Sequence, residues 1–126
     1  MPNQLAGSRV LVVEDAPLIA AELEEELVIS GAVVIGPATN LDRALKLAAR
    51  EQIDAAVLDL DLGDATSFPI ADLLIEKNVP FLFTTGFDDG AVPDRYAGAP
   101  RLFKPVVAGD VITTLAQLIE PDQARR

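Results

Sequence analysis

Ala56-Val57-Leu58-Asp59-Leu60-Asp61-Leu62-Gly63 is an apolar run that delivers a carboxylate to its end. A run this short, bounded by turn residues, reads as a β-strand buried on both faces. Packing gives no reason for an acid at the tip of such a strand. Asp59 is therefore read as a nucleophile, and the other informative residues as the groups that make it usable.

Outward from this run, which predicts a strand over Asp54 to Leu58, the same pattern recurs. Arg9-Val10-Leu11-Val12-Val13 is a β-branched strand that stops at Glu14-Asp15. Ala32-Val33-Val34-Ile35 is another, closed by Gly36-Pro37. Val79 to Thr84 follows with Pro80 near its start, and Arg101-Leu102-Phe103 precedes Lys104-Pro105. Helices fill the intervals. Pro17 suits a first turn, with Ile19, Leu23 and Leu27 inward and Gly31 at the end. Thr39 with Asp42 forms a variant capping box for a second helix, whose inner face is Leu41, Ala44, Leu45 and Ala48. Thr66 or Ser67 caps a third, with Pro69 early, Ile70, Leu73 and Leu74 inward, and an end near Asn78. Residues 88–98, with Gly90, Pro93 and Gly98, predict a helix that is short, irregular or mobile. Val111, Ile112, Leu115, Leu118 and Ile119 mark a closing helix. Strands and helices alternating at about 20 to 25 residues require an α/β fold, a doubly wound five-stranded parallel sheet. In such sheets the ligand site lies beyond the carboxyl ends of the strands, where strand order reverses.

The 126 residues predict one domain, residues 1–126, with tails over 1–8 and 121–126 and no room for an output domain beside it. No cysteine and no histidine occur, which excludes disulfides, thiol or serine-histidine nucleophiles and ordinary zinc sites. A formal charge of −10 argues against a phosphate-neutralising nucleic-acid surface. No apolar run approaches the roughly 20 residues that span a bilayer, and residues 1–8 lack the features of a secretory signal. A cytoplasmic protein without membrane or nucleic-acid partners is expected.

Glu14 and Asp15 follow the first strand, Asp59 ends the third, Thr84-Thr85-Gly86 follow the fourth and Lys104 the fifth. Clustered carboxylates repel one another unless a divalent cation is present. Oxygen ligands alone point to Mg²⁺ or a similarly hard ion. A carboxylate, such an ion and a lysine equip the chain for in-line phosphoryl transfer to Asp59, with an acyl phosphate as product. The Thr85 hydroxyl can bond a phosphoryl oxygen, and Gly86 leaves room for that group.

The ordered set Val12-Val13-Glu14-Asp15, Val57-Leu58-Asp59-Leu60-Asp61, Thr85-Gly86 and Lys104-Pro105 resembles the receiver domain of two-component response regulators across nearly the whole chain. Pro80-Phe81-Leu82-Phe83-Thr84-Thr85-Gly86-Phe87 further resembles the single-domain FAT GUY receivers, with Thr84 where the name implies alanine. The resemblance implies a flavodoxin-like (βα)5 fold with strand order 2-1-3-4-5. It implies a stand-alone regulator rather than an enzyme, whose catalysis is limited to its own phosphorylation and dephosphorylation. Asp59 would accept phosphate from the phosphohistidine of a sensor histidine kinase or phosphotransfer protein. Glu14, Asp15, Asp59 and the backbone carbonyl of Asp61 would hold Mg²⁺, and Thr85 and Lys104 would contact the phosphoryl group. Receivers ordinarily carry an aromatic residue three before this lysine, and here that residue is Arg101. The response would then pass through Phe83, Phe87 or the 88–98 segment, switching protein contacts with a downstream partner through residues 88–103 or serving as a phosphate sink. The loop after Asp61 also lacks the family's usual proline.

Plainer readings stand beside these. Asp15 can be a helix cap, Glu14 a solvated loop acid, Thr84 structural, and Phe81 and Phe83 core. Arg95 and Tyr96 are read as a partner surface, and Phe87 as shielding the phosphoryl group from water. Competing functions are a haloacid-dehalogenase-like phosphatase, whose Asp-x-Asp would follow the first strand, a pseudo-receiver that binds partners unphosphorylated, and a flavin-binding protein, which the acidic Glu14-Asp15 loop disfavours.

Overall fold

The computed structural model describes residues 4–86 and 92–119. Strands β1 (Arg9–Val13), β2 (Val33–Ala38), β3 (Ala55–Asp59), β4 (Phe81–Thr85) and β5 (Arg101–Phe103) form one parallel sheet in the order β2-β1-β3-β4-β5. Four helices cover it, α1 (Pro17–Ile29), α2 (Leu41–Arg50), α3 (Phe68–Glu76) and α4 (Ala108–Ile119). β3 and β4 are buried at every position, which is why they read as unbroken apolar runs. Alternate strand residues feed two cores. Leu11, Leu58 and Phe83 pack with Ala44 and Ala48 of α2 and Ile70 of α3. Val12, Val57 and Leu82 pack on the other face with Leu27 of α1 and Leu115 of α4.

Several boundaries differ from the sequence expectation. The Gly36-Pro37 pair does not close β2, because a register shift opposite Leu11 to Val13 absorbs it and Val13 still pairs with Ala38. The Ala38 carbonyl then accepts from the Glu14 amide at 3.0 Å. α2 is capped by Asn40, not Thr39, since Asn40 is the last extended residue and its Oδ1 accepts from the Arg43 amide at 2.9 Å. Ser67 occupies the cap of α3, but its hydroxyl makes no capping bond. On α1 the buried positions are Ala20 and Leu27, while Ile19 is exposed. Leu5, inside the stretch expected to be a tail, is 1% exposed, with its amide bonded to the Ser30 carbonyl. Between β4 and β5 the described residues hold one 3-10 turn, Asp94–Tyr96, in keeping with the short, irregular helix expected over 88–98. No helix among the described residues is long and apolar enough to cross a membrane.

α1 ends in a Schellman turn, with Ala32 N donating to Leu27 O and Gly31 N to Val28 O. Gly31 has φ +92°, and a Cβ there would lie 2.9 Å from the Ala6 Cα. Gly31→Ala is expected to cost about 2 kcal/mol, from left-handed strain and this backbone clash, read as a lower urea midpoint at unchanged slope.

Candidate functional site

The carboxyl ends of β1, β3 and β5 bring Glu14, Asp59 and Lys104 together. The Lys104 ammonium lies 2.9 Å from Asp59 Oδ2 and 3.5 Å from Glu14 Oε1. Asp59 Oδ1 accepts from the Asp61 amide at 3.2 Å, and Glu14 Oε2 from the Ala16 amide at 3.2 Å. Asp15 completes the group, since one carboxylate oxygen from each of Glu14, Asp15 and Asp59 lies within 4.8 Å of the others. The loop after β3 closes over them. Asp61 turns its side chain to the Gly63 amide at 2.9 Å, and Gly63, at φ +90°, lies beside Asp15, where a Cβ would make ordinary contact with Asp15 Oδ2 at 3.7 Å. The Asp61 side chain is thus occupied in shaping the loop.

Glu14 and Asp59 are 4% and 2% exposed, so neither carboxylate can be solvated as in water. Burial, then the adjoining Asp59 carboxyl, pushes the Glu14 acid up to about 7, against the opposing pull of the Ala16 amide. Burial alone would depress the Lys104 ammonium, but Asp59 and then Glu14 hold it above its ordinary value. Two of the three acids, Asp59 and Glu14, share this one ammonium, and like charges about 4 Å apart repel by about 4 kcal/mol at an effective dielectric of 20. Oxygen donors in this number, under-neutralised and partly buried, fit a hard divalent cation.

No family model matches the chain. Among curated proteins it is 30% identical over 129 residues to the phyllosphere-induced regulator PhyR of Methylorubrum extorquens, a match covering 95% of this chain and 46% of PhyR. The chain thus spans about half the length of the curated relative it matches. The solution structure of SdrG from Sphingomonas melonis Fr1 is 36% identical, covers 89% of this chain and 96% of SdrG, and superposes with a TM-score of 0.68. The signal receiver domain of a modulated diguanylate cyclase from Desulfovibrio desulfuricans G20 is 28% identical, covers 95% of this chain and 99% of that domain, and has a TM-score of 0.81. The chain belongs to the response-regulator receiver domains.

In this receiver the two threonines at the end of β4 divide between the faces of the sheet. Thr84 is in register with Asp59 and lines, with Glu14 and Lys104, a cavity of about 560 Å³ between α1 and the β5–α4 connection. Thr85 is two residues beyond Phe83, on the α2–α3 side, and in register with Phe103. The alternation of strand side chains predicts this split, although it is not visible in the motif alone. Arg101 is exposed, in register with Phe83. Tyr96 is 2% exposed and belongs to the core, which corrects its reading as a partner surface. Phe87 and residues 88–91 lie outside the described residues.

Proposed function

We propose that this receiver accepts a phosphoryl group on Asp59 from the phosphohistidine of a sensor histidine kinase or phosphotransfer protein in the cytoplasm. The observation that carries the reading is a buried carboxylate bonded to a lysine at 2.9 Å and flanked by two further acids. Asp59 Oδ attacks phosphorus as the bond from phosphorus to the donor nitrogen breaks, and the imidazole leaves with the bonding pair. Glu14, Asp15, Asp59 and the Asp61 backbone carbonyl would hold Mg²⁺, which when bound neutralises charge on the transferring oxygens. Lys104 exchanges its contact with Asp59 for one with the phosphoryl group, and Thr85 bonds another of its oxygens. The Pro80 to Phe87 run supports placement in the FAT GUY subfamily. The phosphorylated form switches protein contacts near residues 88–103 or drains phosphate from a shared donor.

Trapping tests this directly. After incubation with acetyl phosphate and Mg²⁺, borohydride reduction is expected to convert residue 59, and no other carboxylate, to homoserine in the peptide map. Homoserine elsewhere, or nowhere, would refute the assignment.

A further inference from the structure

Tyr96 has a set of contacts that phosphoryl transfer does not use. Its hydroxyl donates to Asp72 Oδ1 at 2.6 Å and lies 3.2 Å from the Phe68 carbonyl, so it sits across one turn of α3. Arg95 grips the same carboxylate at 2.9 and 3.3 Å while its guanidinium carbon stands 4.5 Å from the Tyr96 ring centre. The ring itself is one corner of a triangle. It stacks on Phe68 at 5.2 Å and meets Phe83 edge-on at 5.7 Å, and Phe68 meets Phe83 edge-on at 6.2 Å.

The other two corners both lead to Asp59. Phe68 opens α3 directly after the loop that leaves β3, and Ser67 N anchors that loop to the Leu60 carbonyl at 3.1 Å. Phe83 is the register partner of Leu58 and immediately precedes Thr84-Thr85. A displacement of either the β3–α3 loop or the end of β4 therefore presses on the Tyr96 ring, because close-packed rings cannot absorb it. The far end of the contact can give way: the side chains of Asp72 and Arg95 are about half exposed, where an ion pair is weakened by solvent.

We propose that Tyr96, clasped to Asp72 and strapped by Arg95, is a latch coupled to occupancy of Asp59. It is closed when Lys104 sits on the Asp59 carboxylate and loosened when a phosphoryl group takes over that ammonium. The inference rests on Asp59 being the phosphoacceptor. It gives the 3-10 turn Asp94–Tyr96 the role of reporting the site to the surface of α3, in a receiver whose Arg101 stands where an aromatic is usual. Because coupling is reciprocal, loosening the latch must strengthen binding at Asp59 by the same factor that binding at Asp59 weakens the latch.

Tyr96 is the single tyrosine and the chain has no tryptophan, so tyrosine emission reports on this latch alone. With Mg²⁺ present, adding beryllofluoride to the wild-type protein is expected to change that emission. Tyr96→Phe and Asp72→Asn are each expected to bind beryllofluoride about fivefold or more tightly by amide NMR titration, while still taking up a phosphoryl group from acetyl phosphate. Unchanged emission on beryllofluoride binding, or equal or weaker binding in either variant, overturns the latch and leaves the function intact. Failure of the wild-type protein to take up a phosphoryl group overturns both.

Discussion

Asp59→Asn is expected to abolish phosphoryl uptake from acetyl phosphate in the presence of Mg²⁺, where the wild-type protein gains one phosphoryl mass. The amide is nearly the same size as the carboxylate, so a position only 2% exposed keeps its packing while losing the oxygen proposed to attack phosphorus. Asp61→Asn serves as the contrast. Its side chain bonds the Gly63 amide through Oδ1, an acceptor that asparagine retains, so uptake is expected to persist. Lys104→Ala removes the ammonium 2.9 Å from Asp59 and is expected to slow uptake by about a hundredfold, the usual cost of losing one donor aimed at developing charge. A phosphoryl group retained by Asp59→Asn would place the acceptor elsewhere.

Metal-free protein is expected to lose about 3 kcal/mol of stability between pH 4.5 and pH 8 through Glu14. Its carboxyl titrates at its ordinary 4.5 when the chain is unfolded and is pushed up to about 7 in the fold, chiefly by burial. Below pH 4.5 both states hold the proton and this contribution is fully present. As the pH rises toward 7 the unfolded state ionises freely while the folded state must keep a proton or bury a charge beside Asp59, so stability falls, and the loss is complete once the pH has passed the folded value. Urea midpoints measured across this range should fall in the wild-type protein and much less in Glu14→Gln, which carries no titrating group there. Adding Mg²⁺ at pH 8 should restore stability to the wild-type protein, by about 2.7 kcal/mol at a hundredfold excess over its dissociation constant. An identical pH slope in Glu14→Gln would show that the titration belongs to another group.

Most of the sheet was legible because its strands are buried on both faces, and full burial leaves a local signature. Val10 to Val13 and Ala55 to Leu58 admit few readings other than inner strands. The acids beyond them were legible for the converse reason, as charges where packing offers none a place. What escaped depends on partners distant in the chain. Tyr96 looked exposed among Gly and Pro residues, yet it is held by Asp72, 24 residues earlier. Leu5 is fixed by Ser30 at the end of α1. Gly36-Pro37 looked like a stop, and only the neighbouring strand shows that β2 continues past it. Ile19 fitted the inner stripe of α1 by spacing, but the helix begins over a cavity, so that turn of the stripe has little to pack against.

Thr84 and Thr85 are chemically alike and adjacent, yet the pleat of β4 turns them to opposite sides of the sheet, Thr84 toward the cavity it lines with Glu14 and Lys104 and Thr85 toward the α2–α3 side at the strand's carboxyl end. Their identities are thus set by counting, not by composition. Inserting one residue in the connection Lys77-Asn78-Val79-Pro80 and letting β4 slide to compensate would move Thr84 into the place of Thr85, bring Phe83 opposite Asp59, and turn Phe81 and Phe83 out of their core. The length of that short connection is therefore as much a determinant of the site as any side chain in it, and substitutions should be tolerated there far better than insertions or deletions.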